Sequence, residues 1–222
     1  MDPEAVDRLL QAERKLERKF ALEASTEPIL PTGWSAALLM FHVGRWRQRL
    51  RDGLRQFRNS GTEPNPPPRD IDALNDGELP RGARISLPDA VVQSDSVASE
   101  LMDLWRQMGD RPFKWYVAET TGQAVIRISY YHPRNHLAEH FIERGDQARG
   151  DKLFEETATE LRHASAAPHT LSQSLYNLAI RKLAVGREDQ ALLLVNEAIS
   201  LRPDLRSTAL SDPRLAGLVK QR

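Results

Sequence analysis

The sequence predicts an all-α protein. Apolar residues recur at helical spacing in several long segments, good N-caps and stop residues bracket those segments, and the stretches between them are rich in proline and glycine. A chain of 222 residues accommodates one large domain, or a domain with a small appendage, and can bury a core without staples. Hydrophobic residues make up 40% and charged residues 28%, the balance of a globular chain and not of a disordered one.

Residues 3 to 24 read as an amphipathic helix. Val6, Leu9, Leu10, Leu16 and Phe20 form one face, Glu13, Arg14, Arg18 and Lys19 the other, and Asp2-Pro3 is a suitable start. Pro28, Pro31 and Gly33 then break the chain. A second helix starts near Ser35 and runs to about Phe57. Leu38, Leu39, His42, Trp46 and Leu50 fall near one face, with arginines mostly on the other. His42 therefore lies inside an apolar stripe, a position that asks for a reason.

Residues 59–68 read as a mobile loop and 70–84 as irregular. A third helix is expected from about Pro88 to Met108, stopped by Gly109. Residues 110–131 are ambiguous: 125–131 alternates like a strand, but helix is preferred because Ile126, Tyr130 and Leu137 also share a helix face. Pro133 suits a first turn and would kink a helix that began earlier. Residues 134–144 should be helical, with a continuation through Leu153, Phe154, Thr157 and Leu161.

After His163 the stretch 164–168 reads as a linker, which divides the chain into a bundle at 1–163 and a C-terminal unit at 164–222. Residues 172–205 resemble one tetratricopeptide repeat. Leu178-Ala179 takes the Leu-Gly position, Gly186 the turn, and Ala191, Ala198 and Pro203 the second-helix positions; Leu175 replaces Trp and Lys182 replaces Tyr. Its small residues permit close approach of two helices, and Leu205 to Val219 reads as a capping helix. One repeat cannot bury its apolar face alone, so the hairpin is expected to dock on the bundle or on a second copy in a homodimer.

Composition removes several function classes. Lys plus Arg and Asp plus Glu are equal at 31 each, so no net field favours nucleic acid, and the arginine-rich helix after Arg45 is interrupted by Asp52. There is no cysteine, which excludes a disulfide scaffold, a cysteine nucleophile and any cysteine-ligated zinc. No apolar run approaches a membrane span and the acidic N-terminus lacks signal-peptide character, so the expected location is the cytoplasm. Phosphate-loop, nucleophile-elbow and zinc-protease motifs are absent.

Three of six histidines lie in His132-Pro133-Arg134-Asn135-His136-Leu137-Ala138-Glu139-His140. On a helix His136 and His140 project from one face a turn apart, the geometry two imidazoles need to ligate one divalent metal. His42 is the attractive third ligand. His132 competes, being four residues before His136, but a residue just before proline is expected at a helix end; His163 and His169 read as incidental. Pairs at this spacing also occur as solvated or core histidines.

The segment Gly33-Trp34-Ser35, with Leu39 and His42 following, precedes the late His-x-x-x-His-x-x-x-His helix. This pattern resembles the DinB/YfiT-like superfamily of metal-dependent four-helix bundles over about residues 3–163. The resemblance implies His42, His136 and His140 as ligands of a divalent metal, nickel or zinc, and thiol-dependent transferase or isomerase chemistry with a low-molecular-weight thiol. This sequence departs from the family in that Arg144-Gly145 falls several residues past the last histidine. The reading is a metal-dependent transferase or hydrolase acting on a small electrophilic molecule, with Arg134 or Arg144 holding an anionic substrate or cofactor group. The alternative is a noncatalytic helical protein whose hairpin contacts a protein partner.

Overall fold

The computed structural model describes residues 2–24, 34–64 and 70–220. Pro28, Pro31 and Gly33 lie outside the described residues, as does most of the proline run between the second and third helices.

Among the described residues the chain is all-α apart from one small hairpin. Helix α1 (Pro3–Ala24) buries Val6, Leu9, Leu10 and Phe20. Helix α2 (Ala36–Ser60) is capped by the Ser35 side chain, which accepts from Leu38 N–H, and ends where Gly61 enters the left-handed region at φ 69°. Helix α5 (Leu87–Met108) starts from Ser86 in the same way and stops at Gly109, φ 65°. At both ends glycine supplies the backbone conformation that other residues resist.

The 70–84 segment is more ordered than its sequence suggests. It forms α3 (Ile71–Asp76) and α4 (Leu79–Gly82), tied to α2 by Trp46 Nε1 donating to Asn75 Oδ1 at 3.2 Å and by Arg45 and Arg49 pairing with Glu78. Turn-forming residues concealed these short helices, which are fixed from outside by α2.

Strands β1 (Pro112–Trp115) and β2 (Ala118–Thr120) make a tight antiparallel hairpin. Thr120 then caps α6 (Thr121–Ile126). The chain passes through a π-helical turn, Arg127–Tyr131, directly into α7 (His132–Glu143). The 125–131 segment is therefore helical, and the strands lie just before it.

The π-turn accounts for Pro133 inside a helix. Proline has no N–H for the carbonyl four residues earlier, which is that of Ser129. Arg47, fully buried on α2, donates to that carbonyl at 3.1 Å, and His132 N–H turns to the carbonyl of Arg127. Arg47 also grips Glu17 through two hydrogen bonds, at 2.7 and 2.5 Å, and Ser94 at 2.9 Å. A buried cation thus repairs the defect that proline introduces.

Helices α1, α2, α5 and the continuous α6–α7 share one apolar core around Phe20, Leu50, Leu101, Trp105, Tyr130 and Leu137. Helix α8 (Gln147–His163) folds back on α7, where a Cβ on Gly150 would meet Ile142 Cγ1 at 2.5 Å and the Ala138 carbonyl at 2.7 Å. Helix α9 (Pro168–Ala184) packs on α8 and touches the π-turn, and α10 (Glu188–Leu201) packs on α9. Two short helices, α11 (Leu205–Ser211) and α12 (Ala216–Lys220), follow. The apolar core continues through this region to Val219, so the C-terminal hairpin rests on the rest of the chain through α8.

Candidate metal centre

The histidines that meet are His42, His132 and His136. His132 Nε2 lies 3.1 Å from His42 Nε2 and 3.1 Å from His136 Nε2, and one ring nitrogen of each falls within 4.8 Å of the others. A neutral ring nitrogen either carries one proton or offers one lone pair, so His132 cannot satisfy both neighbours with directed hydrogen bonds. One cation between them satisfies all three. Metal–nitrogen bonds of about 2.0–2.1 Å at tetrahedral angles place ligand nitrogens about 3.3 Å apart, close to the 3.1 Å of the two pairs that include His132.

Burial prepares these rings as ligands. It pushes the His42 imidazole down to about 3, with help from His136 and Arg49, and His136 down to about 4; burial, with His136 and His42, holds His132 well below its usual range. All three are neutral at physiological pH, with lone pairs available.

His140 is placed elsewhere. It is buried with its ring edge-on to Phe20 at 5.1 Å, away from the cluster. The expected set of His42, His136 and His140 is thus brought together at two positions, and His132 takes the third. The reason is depth along the bundle: His42 lies near the start of α2, level with the turn between His132 and His136. His132 is also not at a helix end, because the helix begins eleven residues earlier and passes through the π-turn.

Of the two candidate arginines, neither lines the cavity beside the histidines. Arg134, two positions from both His132 and His136, points to the other side of α7. There it donates to Glu13 at 2.8 Å, pairs with Glu160 at 3.0 Å and covers the Tyr130 ring. Burial, reinforced by Glu17, pushes the Glu13 carboxyl up to about 8 against the pull of Arg134 and Arg47. Arg144 caps the end of α7 and lines a separate groove with Leu22 and Val91.

Aromatic rings wall the cluster. Trp34 stacks on His136 at 5.8 Å and meets His42 edge-on at 4.8 Å, while Trp46 lies 6.0 Å from His132. The adjoining cavity, about 490 Å³, is bounded by these rings and by Ile71, Tyr116, Val117, Arg127, Ile128 and Tyr131. Tyr116 sits at the hairpin tip at φ 53°, a conformation unusual for a bulky residue, and its enclosed hydroxyl has no partner among the described residues. Burial keeps it a phenol.

Outer contacts reach from this centre to the C-terminal hairpin. Glu139 places a carboxylate oxygen 3.6 Å from His136 Nδ1 and accepts from Asn135 at 3.0 Å. Asn177, on α9, donates to Asn135 Oδ1 at 2.7 Å and to the Tyr131 hydroxyl at 3.0 Å. Groups behind metal-binding histidines set ring orientation and basicity. Asn177→Leu is therefore expected to weaken divalent-metal affinity by roughly threefold to tenfold, below the usual outer-contact effect because Asn177 acts through two intermediates. Chelator competition measures this, and unchanged affinity would show that the hairpin only packs.

No protein-family model, no curated protein and no solved structure matches this chain. The site therefore rests on its own geometry. By sequence alone His132 ranks behind His140 and His169 looks incidental, and no sequence pattern marks Arg127 or Asn177. The spacing of His132 and His136 was as visible as that of His136 and His140; the choice needed the helix register.

Proposed function

We propose that this chain is a divalent-metal-dependent transferase or hydrolase acting on a small electrophilic molecule, with the metal held by His42, His132 and His136. The carrying observation is that three neutral imidazoles, one buried and two half-buried, converge beside an apolar cavity, with His132 Nε2 3.1 Å from a ring nitrogen of each of the other two. Among the described residues no other group of three metal-ligating side chains converges in this way. The resemblance to DinB-like bundles agrees with a three-histidine centre and suggests nickel or zinc.

A divalent ion with three nitrogen ligands and an open position supplies Lewis-acid polarisation or an activated nucleophile. The chain's own residues would do the rest. Trp34 and Trp46 exclude water from the ligand rings, and Glu139 orients His136. The Tyr116 hydroxyl has a proton to donate to a polar group entering the cavity. With no cysteine in the chain, any thiol nucleophile must be a low-molecular-weight thiol from outside.

Metal analysis of the purified full-length protein by mass spectrometry tests the proposal. Wild type is expected to carry about one equivalent of divalent metal and a His136→Ala variant substantially less. Absence of metal from wild type after reconstitution with nickel and with zinc would sink the catalytic reading.

A further inference from the structure

Among the described residues, Arg127 is the one side chain of permanent charge lining the cavity, and no Asp or Glu lines it. The neighbouring arginines Arg45, Arg47, Arg49, Arg51, Arg55 and Arg134 each pair with a carboxylate. Arg127 has no carboxylate partner among the described residues; its polar contact is NH1 to His169 Nδ1 at 3.2 Å.

A neutral imidazole does not offset its charge. His169 Nε2 faces Arg202 NH1 at 2.9 Å, so arginine donors approach both nitrogens of one ring. A neutral imidazole accepts at only one nitrogen, and a charged one at neither. Burial, then Arg127 and Arg202, hold His169 down to about 4, so it stays neutral and at least one contact sets donor against donor. Arg202 is compensated by Asp204, which it meets through two nitrogens. The uncompensated charge is that of Arg127, partly desolvated and opening on the cavity. An isolated charge in such a setting is costly unless an anion arrives.

We propose that Arg127 is the anion-recognition residue of this cavity, which takes a small monoanionic carboxylic acid with an apolar or aromatic body. The inference rests on the reading of the cavity as a substrate site. A planar guanidinium matches a carboxylate through two parallel hydrogen bonds. A phosphate would call for further donors, and the lining offers no second arginine or lysine among the described residues. Trp34, Trp46, Tyr116, Ile71, Val117 and Ile128 provide the surface for the ligand's body, and about 490 Å³ suits a small molecule. The acid would span from Arg127 toward the three histidines.

Titration calorimetry with 3-phenylpropanoate, its neutral amide and inorganic phosphate tests this on the full-length protein. Each probe is run on metal-loaded and chelator-treated samples, so that carboxylate binding to a metal is separated from binding to Arg127. Wild type without metal is expected to bind the acid at least about tenfold more tightly than the amide, and Arg127→Gln to lose roughly tenfold to a hundredfold in Kd for the acid alone. Arg127→Lys should recover part of the loss, since it keeps the charge without the fork. Equal binding of acid and amide overturns the proposal, as does no detectable binding of the acid at millimolar concentration or an unchanged Kd in Arg127→Gln. Phosphate binding as tightly as the acid overturns the carboxylate assignment. Should Arg127→Gln fail to fold, the acid–amide comparison in wild type and the Arg127→Lys variant decide. Metal content of the same samples reports separately on the proposed catalytic centre.

Discussion

Replacing His132 with alanine is expected to strip the protein of divalent metal, whereas replacing His140 leaves the metal in place. The geometry makes this asymmetry sharp. His132 Nε2 is 3.1 Å from the ring nitrogens of both other members, so its removal leaves only His42 and His136. Structural zinc sites with four ligands bind with about 10–16 kcal/mol, or ~2.5–4 kcal/mol per ligand. Loss of one ligand should therefore weaken affinity by roughly 10²- to 10³-fold. His140 packs edge-on against Phe20 in the core, so His140→Ala should cost about 1–3 kcal/mol of folding stability with the metal retained. Equilibrium dialysis with nickel or zinc and a urea titration of each variant separate the two effects. Metal kept in His132→Ala and lost in His140→Ala would restore the ligand set implied by the family resemblance and refute the observed cluster.

The second large effect concerns Arg47, which touches no part of the cavity. Its guanidinium is fully buried, holds Glu17 through two hydrogen bonds, and supplies the donor that Pro133 denies to the Ser129 carbonyl. Arg47→Met leaves the Glu17 carboxyl in the core without its partner, and breaking a buried pair from one side costs about 3–5 kcal/mol. It also orphans the Ser129 carbonyl, for a further ~1–3 kcal/mol. For a domain with ordinary stability of ~5–15 kcal/mol, such a loss approaches the whole margin. The double variant Arg47→Met/Glu17→Leu removes both charges and should recover most of the pair's cost, but not that of the carbonyl. Urea unfolding of the two variants reads the difference. Equal stability of Arg47→Met and wild type would show that the buried pair and the repaired carbonyl contribute little.

The two predictions are physically connected. The π-turn held by Arg47 ends at Tyr131, immediately before His132. Altering that turn rotates His132 relative to His42, so Arg47→Met, where it still folds, should also bind metal less tightly. π-turns inside α-helices recur at functional sites because one extra residue re-aims the side chains that follow. Here it lets a helix carry both a proline and a candidate ligand at adjacent positions.

The all-α class, α1, α2 and α5 were legible from local chemistry. Apolar periodicity, Ser35 as a cap and Gly109 as a stop act within a few residues of where they are read. His42 inside an apolar stripe, and its meeting with His136, were legible for the same reason. The β-hairpin was missed because 112–120 is short and is fixed by its neighbours, with Trp115 buried and Lys114 N–H donating to Glu63 at 3.0 Å. Helices α3 and α4 escaped because their anchors lie on α2.

Residue spacing alone determined that two late histidines could share a helix face and that a third could reach them. It also determined, through the absence of cysteine, what kind of ligand any metal here must have. Only the tertiary structure decided which histidines converge, because depth along a bundle depends on how helices are staggered, and the stagger depends on a π-turn stabilised by an arginine more than eighty residues away. The same holds for Arg127 and Arg134. Both are arginines on one long helix, but Glu160 pairs with Arg134 and Glu13 accepts its hydrogen bond, while Arg127 opens on the cavity beside a histidine that cannot compensate its charge.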